Sequence, residues 1–127
     1  MLSATSTGQQ ILVVDDSEPN RMLLREILVP LGLEVIEACR GDEAVSIVCL
    51  TPPALIFMDI AMPVMDGLTA TRELRGLGYQ MPVVIVTAFQ EEDFAAPARE
   101  AGASAYLSKP LDMCTIETTL RHFGILA

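Results

Sequence analysis

The chain has 127 residues, 51% of them hydrophobic and 20% charged, which fits one folded domain and excludes a largely disordered chain. Seventeen acidic residues against eight basic ones leave a net charge of −9 and a pI near 4.4, which argues against binding nucleic acid or an anionic membrane surface. Mean hydropathy is high at +0.43. Yet the apolar runs, Ile11 to Val14, Ala54 to Met58 and Val83 to Val86, fall far short of the ~18 residues that span a bilayer. They read as buried strands.

Residues 1–9 are polar, lack the apolar stretch of a secretory signal, and are expected to form a flexible leader before one domain over 10–125. Gln10 to Val14 reads as a strand whose continuous apolar character suits a sheet covered on both faces. Pro19 stands near the start of a helix with an apolar stripe of Leu23, Leu24, Ile27, Leu28 and Leu31, ended by Gly32. Leu33 to Ala38 is a second strand and Asp42 to Leu50 a second helix. Pro52-Pro53 breaks the chain before a third strand, Ala54 to Met58. A third helix, Leu68 to Leu77, lies between Gly67 and Gly78, and Val83 to Val86 is a fourth strand rich in β-branched residues. A fourth helix spans roughly Glu91 to Ala101, either kinked at Pro97 or regular only from Ala96. Ser104 to Leu107 is a fifth strand, and Asp112 caps a last helix with Ile116, Leu120 and Phe123 on one face.

Strict alternation of five strands and five helices implies an α/β fold, a parallel sheet with helices on both faces. Right-handed crossovers then restrict it to a doubly wound, flavodoxin-like sheet of order 2-1-3-4-5. In such sheets the site lies beyond the carboxyl ends of the strands, where strand order reverses. There the chain carries Asp15 and Asp16 after strand one, Asp59 after strand three, Thr87 at the end of strand four and Lys109 after strand five. Lys109 is the chain's single lysine. Taken singly, each has a plain structural reading: a helix-start pair, a turn residue, a β-branched strand residue, a loop charge. Together they place three carboxylates, a hydroxyl and one ammonium on a single rim. Adjacent carboxylates repel by roughly 1–4 kcal/mol per pair, so a hard cation such as Mg²⁺ is implied.

Cys39, Cys49 and Cys114 are odd in number and scattered, without the spacing of a disulfide framework or a zinc site. They are expected to be reduced, mostly buried thiols in a cytoplasmic protein. The single His122 near the end of the last helix reads as a surface or capping residue.

The motifs Val13-Val14-Asp15-Asp16, Met58-Asp59, Met62-Pro63, Met65-Asp66-Gly67, Thr87-Ala88, Tyr106-Leu107 and Lys109-Pro110 follow in order. With them the chain resembles a response-regulator receiver domain of two-component signalling, similar to the chemotaxis receiver, from about Gln10 to Phe123. The resemblance implies that Asp59 is the phospho-acceptor, taking a phosphoryl group from a histidine kinase or a histidine phosphotransfer protein. It implies Mg²⁺ held by Asp16 and Asp59, by Asp15 through a water, and by the backbone carbonyl of Ala61. Lys109 and Thr87 would contact phosphoryl oxygens, Ala88 would leave the entrance open, and the bond before Pro110 would be cis. Thr87 and Tyr106 would be the switch, repacking the helix 4, strand 5 and helix 5 face toward a downstream protein partner. Such a protein catalyses only its own phosphorylation and dephosphorylation.

Two positions depart from better-known members. Ala61 and Phe89 stand where polar side chains often help to place the attacking water, so slow self-dephosphorylation is expected. Three rivals share parts of the pattern. A flavodoxin-like carrier needs a phosphate-cradling loop after strand one, where Asp15, Asp16 and Glu18 stand instead. A phosphatase acting on outside substrates through an aspartyl phosphate would need a cap domain or a substrate pocket. A receiver-like binding module that is never phosphorylated would not need the acidic set. With about 127 residues no output domain is expected, which leaves a stand-alone receiver or one cut from a longer protein such as a hybrid kinase.

Overall fold

A computed structural model describes residues 9–62, 64–88 and 91–127, with the backbone alone for 91–94. The expected leader up to residue 8, Pro63 and Phe89 lie outside the described residues. The elements alternate as β1 (Gln10–Val14), α1 (Glu18–Leu28), β2 (Glu34–Ala38), α2 (Gly41–Leu50), β3 (Leu55–Asp59), α3 (Gly67–Gly76), β4 (Val83–Thr87), α4 (Glu91–Ala101), β5 (Ala105–Ser108) and α5 (Met113–His122). The five strands are parallel, in the order β2-β1-β3-β4-β5.

The core forms two layers because strand side chains alternate between faces. Ile11, Val13, Leu55, Phe57, Val84 and Val86 pack under Leu24 and Leu28 of α1 and Ile116 and Leu120 of α5. On the other face Leu12, Val14, Ile56, Met58, Val83 and Ile85 meet Ala44 and Val48 of α2, Ala70 and Leu74 of α3 and Ala98 of α4. Both faces being covered explains the unbroken apolar runs of β1, β3 and β4. Each fully buried large side chain contributes about 1.5–3 kcal/mol, so these layers hold the strand ends that carry the polar rim.

Several helix starts are set by side-chain caps, with Ser17 Oγ, Asp66 Oδ1 and Asp112 Oδ1 accepting from the backbone N–H of Asn20, Thr69 and Thr115. Asp112 is the expected cap of the last helix, and its hydrogen bond to Thr115 holds its carboxyl below the usual range. After Leu28, Pro30 has no N–H for an α-helical bond, and the chain tightens into a 3₁₀ turn over Val29–Leu31 before Gly32 at φ 85°.

The structure corrects three readings and decides between the two for the fourth helix. Leu23 is 45% exposed, so the buried stripe of α1 is Leu24, Ile27 and Leu28. The fourth helix spans Glu91–Ala101 as expected and continues through Pro97, so of the two readings at the proline the later start near Ala96 is set aside. Ala98 and Ala101, both buried, anchor it beyond the proline. Asp59 is the last residue of β3 itself, because its backbone stays in register with Val86. The three cysteines are free, as expected, but all are exposed. They stand where elements begin or end, while the buried positions of α2 and α5 go to Gly41, Ala44, Val48, Ile116, Thr119 and Leu120. His122 is an exposed residue whose ring meets Phe123 edge-on at 4.8 Å. No described helix is long and apolar enough to cross a membrane.

Candidate functional site

The switch in strand order falls between β1 and β3, and there the rim assembles. Asp15 follows β1, Asp59 ends β3, Thr87 ends β4 and Lys109 follows β5. One carboxylate oxygen from each of Asp15, Asp16 and Asp59 lies within 4.8 Å of the others. Asp15 and Asp59 are buried, with 4% and 6% of their surfaces exposed, whereas Asp16 is exposed. Lys109 Nζ lies 2.9 Å from Asp15 Oδ2 and 3.7 Å from Asp59 Oδ2. The backbone N–H of Ser17 donates to the other Asp15 oxygen at 2.9 Å.

Thr87 is buried, and the backbone N–H of Lys109 donates to its carbonyl at 2.7 Å, which fastens the end of β5 to that of β4. The Lys109–Pro110 peptide is cis, as the resemblance implied. Ala61 is exposed in the loop after β3. Tyr106 is half-buried on β5, packed against the layer that includes Ile85 and Ala98.

Two glycines bring the loop after β3 close. A Cβ on Gly67 would sit 2.0 Å from the Asp59 carbonyl oxygen, and the Gly67 N–H donates to the Ile60 carbonyl at 3.0 Å. A Cβ on Gly41 would lie 2.5 Å from the Met65 carbonyl oxygen, which accepts from the Gly41 N–H at 3.2 Å. Between them Val64 adopts φ 70°, a left-handed conformation unfavourable for a β-branched residue.

A cavity of about 320 Å³ opens onto Asp59 between α1 and the chain after β5. Asp15, Asp59, Lys109 and Asn20 supply its polar lining, Ala88 sits at its edge, and Leu24, Phe57, Val86 and Leu111 form its apolar walls. Burial pushes the Asp59 carboxyl from 3.8 up to about 6; repulsion from Asp15 and Asp16 adds to this, while Lys109 and the Ile60 N–H pull the other way. One ammonium therefore does not compensate three acids. Hard oxygen donors at this spacing, with charge still uncompensated, suit a small divalent cation such as Mg²⁺.

Sequence reasoning missed Arg21, whose guanidinium donates to the Asp15 carbonyl at 2.6 Å and to Glu37 Oε1 at 2.9 Å. Its signal was a cation one turn into a helix, against the helix dipole and just after two aspartates.

The family profile of the response regulator receiver domain matches residues 11–121. The chain is 38% identical over 104 residues to the chemotaxis protein CheY of Bacillus subtilis, covering 81% of this chain and 87% of that one. It is 39% identical over 124 residues to the osmosensing histidine protein kinase SLN1 of Saccharomyces cerevisiae, covering 92% of this chain but spanning only 10% of the kinase. Among solved structures, the receiver domain of the sensor histidine kinase PA1611 from Pseudomonas aeruginosa superposes with a TM-score of 0.84 at 31% identity. That match covers 92% of this chain and 98% of the other, whose structure has a magnesium ion coordinated in the active-site cleft. Fold, motif order and these likenesses agree: the chain belongs to the response regulator receiver domain family of two-component signalling.

Proposed function

We propose that this domain is a phosphorylation-dependent switch in which Asp59 accepts a phosphoryl group from a histidine kinase or a histidine phosphotransfer protein. One observation carries the reading: the Asp15, Asp16 and Asp59 carboxylates meet within 4.8 Å beside Lys109, on a cavity open to solvent. With a pKa of about 6, Asp59 is roughly nine-tenths ionised at pH 7 and can act as a nucleophile. One of its oxygens forms the new O–P bond while the N–P bond of the donor breaks, and the electron pair stays on the donor nitrogen. Lys109, 3.7 Å from Asp59, pairs with a phosphoryl oxygen as charge develops there, and the Thr87 hydroxyl donates to another. Asp16, Asp59 and the Ala61 carbonyl are the proposed Mg²⁺ ligands, with Asp15 acting through a water. The cation supplies further compensation of phosphoryl charge.

Thr87 and Tyr106 are the proposed switch pair. A cavity of about 240 Å³ beside Tyr106, lined by Ala95, Ala98 and Arg99 of α4 and by Ala103 to Ala105, supports this by leaving the ring and the helix room to repack. The α4, β5 and α5 face would then present a new surface to a downstream protein. Ala61 has no polar side chain with which to orient water, so the acyl phosphate is expected to decay slowly.

Incubation with acetyl phosphate and Mg²⁺, read by intact mass, tests the proposal. One hydroxylamine-labile phosphate is expected, absent from Asp59→Asn and in EDTA. No adduct from acetyl phosphate or from a panel of phosphorylated kinases would favour a binding module that is never phosphorylated.

A further inference from the structure

Arg21 enters α1 just after the two adjacent aspartates, and its planar fork bridges separate parts of the chain. Nη1 donates to the Asp15 carbonyl at 2.6 Å, while Nε donates to Glu37 on β2 at 2.9 Å. Glu37 is engaged in turn by Arg25 through its other oxygen. The Arg21 and Glu37 side chains are only 16% and 23% exposed, so the pair is largely held against the protein.

The carbonyl that Arg21 grips belongs to the peptide joining Asp15 to Asp16. That unit is planar, so holding its oxygen fixes where the Asp16 Cα stands relative to Asp15. Asp15 is separately held: its N–H donates to the Ala38 carbonyl at 3.1 Å, and its carboxylate accepts from Ser17 and Lys109, each at 2.9 Å. Asp16 is exposed, so the backbone that carries it sets where its carboxylate can reach. We infer that Arg21 is a positioning residue for cation binding, aiming the Asp16 carboxylate through the Asp15 carbonyl, with Glu37 holding the fork in place. The inference rests on the Mg²⁺ site proposed above.

Charge alone makes the opposite prediction. A guanidinium held on the backbone of the acidic rim repels a divalent cation there, so removing it should tighten binding if Coulomb effects were all that mattered. Positioning predicts looser binding. Arg21→Lys separates the two further, because it keeps the charge but lacks the fork that reaches two acceptors at once.

The test is calorimetric titration of the full chain with Mg²⁺ at pH 7.5, with a urea midpoint for each variant to confirm that it is folded. Arg21→Lys and Arg21→Gln are both expected to weaken Mg²⁺ binding about tenfold. Arg25→Gln removes the same charge from the other oxygen of Glu37 without touching Asp15, and is expected to shift the affinity by less than about twofold. Wild-type affinity in Arg21→Lys, with tighter binding in Arg21→Gln, would overturn the inference. Should Arg21→Gln fail to fold, Arg21→Lys decides alone, since it retains the charge and most of the apolar stem. Failure of the wild-type chain to bind Mg²⁺ would instead overturn the cation site itself, so the two failures are distinguishable.

Discussion

Asp59→Asn should stabilise the protein in metal-free buffer, although it removes the proposed nucleophile. The folded carboxyl has its pKa raised from 3.8 to about 6, chiefly by burial and then by Asp15. Between those values the folded state binds more protons than the unfolded state, so stability falls as pH rises. Above pH 6 the ionised group opposes folding by about 3 kcal/mol from the shift, or about 2 kcal/mol after allowing for solvent screening at the cavity mouth. Asparagine removes that penalty and retains an oxygen for the Ile60 N–H. In urea at pH 7.5 with EDTA, about 2 kcal/mol displaces the midpoint upward by about 1 M. The gap should shrink to less than half near pH 4.5, where the folded wild-type group is mostly protonated. Saturating Mg²⁺ should raise the wild type more than Asp59→Asn, because binding to the folded state alone adds stability. An asparagine variant no more stable than wild type at pH 7.5, or a gap that does not narrow on acidification, would refute the reasoning.

Three further substitutions probe the loop between β3 and α3. Gly67→Ala places a Cβ 2.0 Å from the Asp59 carbonyl oxygen, so a loss of about 3 kcal/mol or more in urea unfolding is expected, together with reduced phosphorylation. Val64→Asn keeps an exposed residue at φ 70° but tolerates that conformation better, and should raise stability by about 1 kcal/mol. Ala61→Asn supplies a side chain able to orient water, and should speed loss of phosphate about tenfold in Mg²⁺; an unchanged decay rate would sink the slow-switch reading.

The order of elements and the chemical rim were legible in the sequence for one reason. Doubly wound sheets place their sites at strand ends, and Asp15, Asp16, Asp59, Thr87 and Lys109 occupy those ends in a chain with one lysine. Boundaries were less legible, because apolar pattern stops where a polar residue begins while backbone pairing does not. Asp59 stays in β3 opposite Val86, and Pro97 stays inside α4 beside buried Ala98. Leu23 misled for a related reason. Helical spacing puts it on the apolar stripe, yet it lines the cavity mouth at 45% exposure instead of the core.

The exposed thiols and Arg21 mark two different limits. Cysteine is apolar enough to suit a core, so composition favours burial, but Cys49 and Cys114 fall on the solvent-facing sides of α2 and α5 and Cys39 in the turn after β2. Arg21 acts through backbone, donating to a carbonyl that every residue type possesses. A side chain that performs chemistry is constrained in type and so can be recognised from one sequence. One that orients a peptide is constrained by distance, and the 2.6 Å from Arg21 to the Asp15 carbonyl comes into being only when α1 and β2 pack beside β1. The fork needs both acceptors in place at once, so Glu37 belongs to the acidic rim's support although it lies 21 positions from Asp16 in the chain.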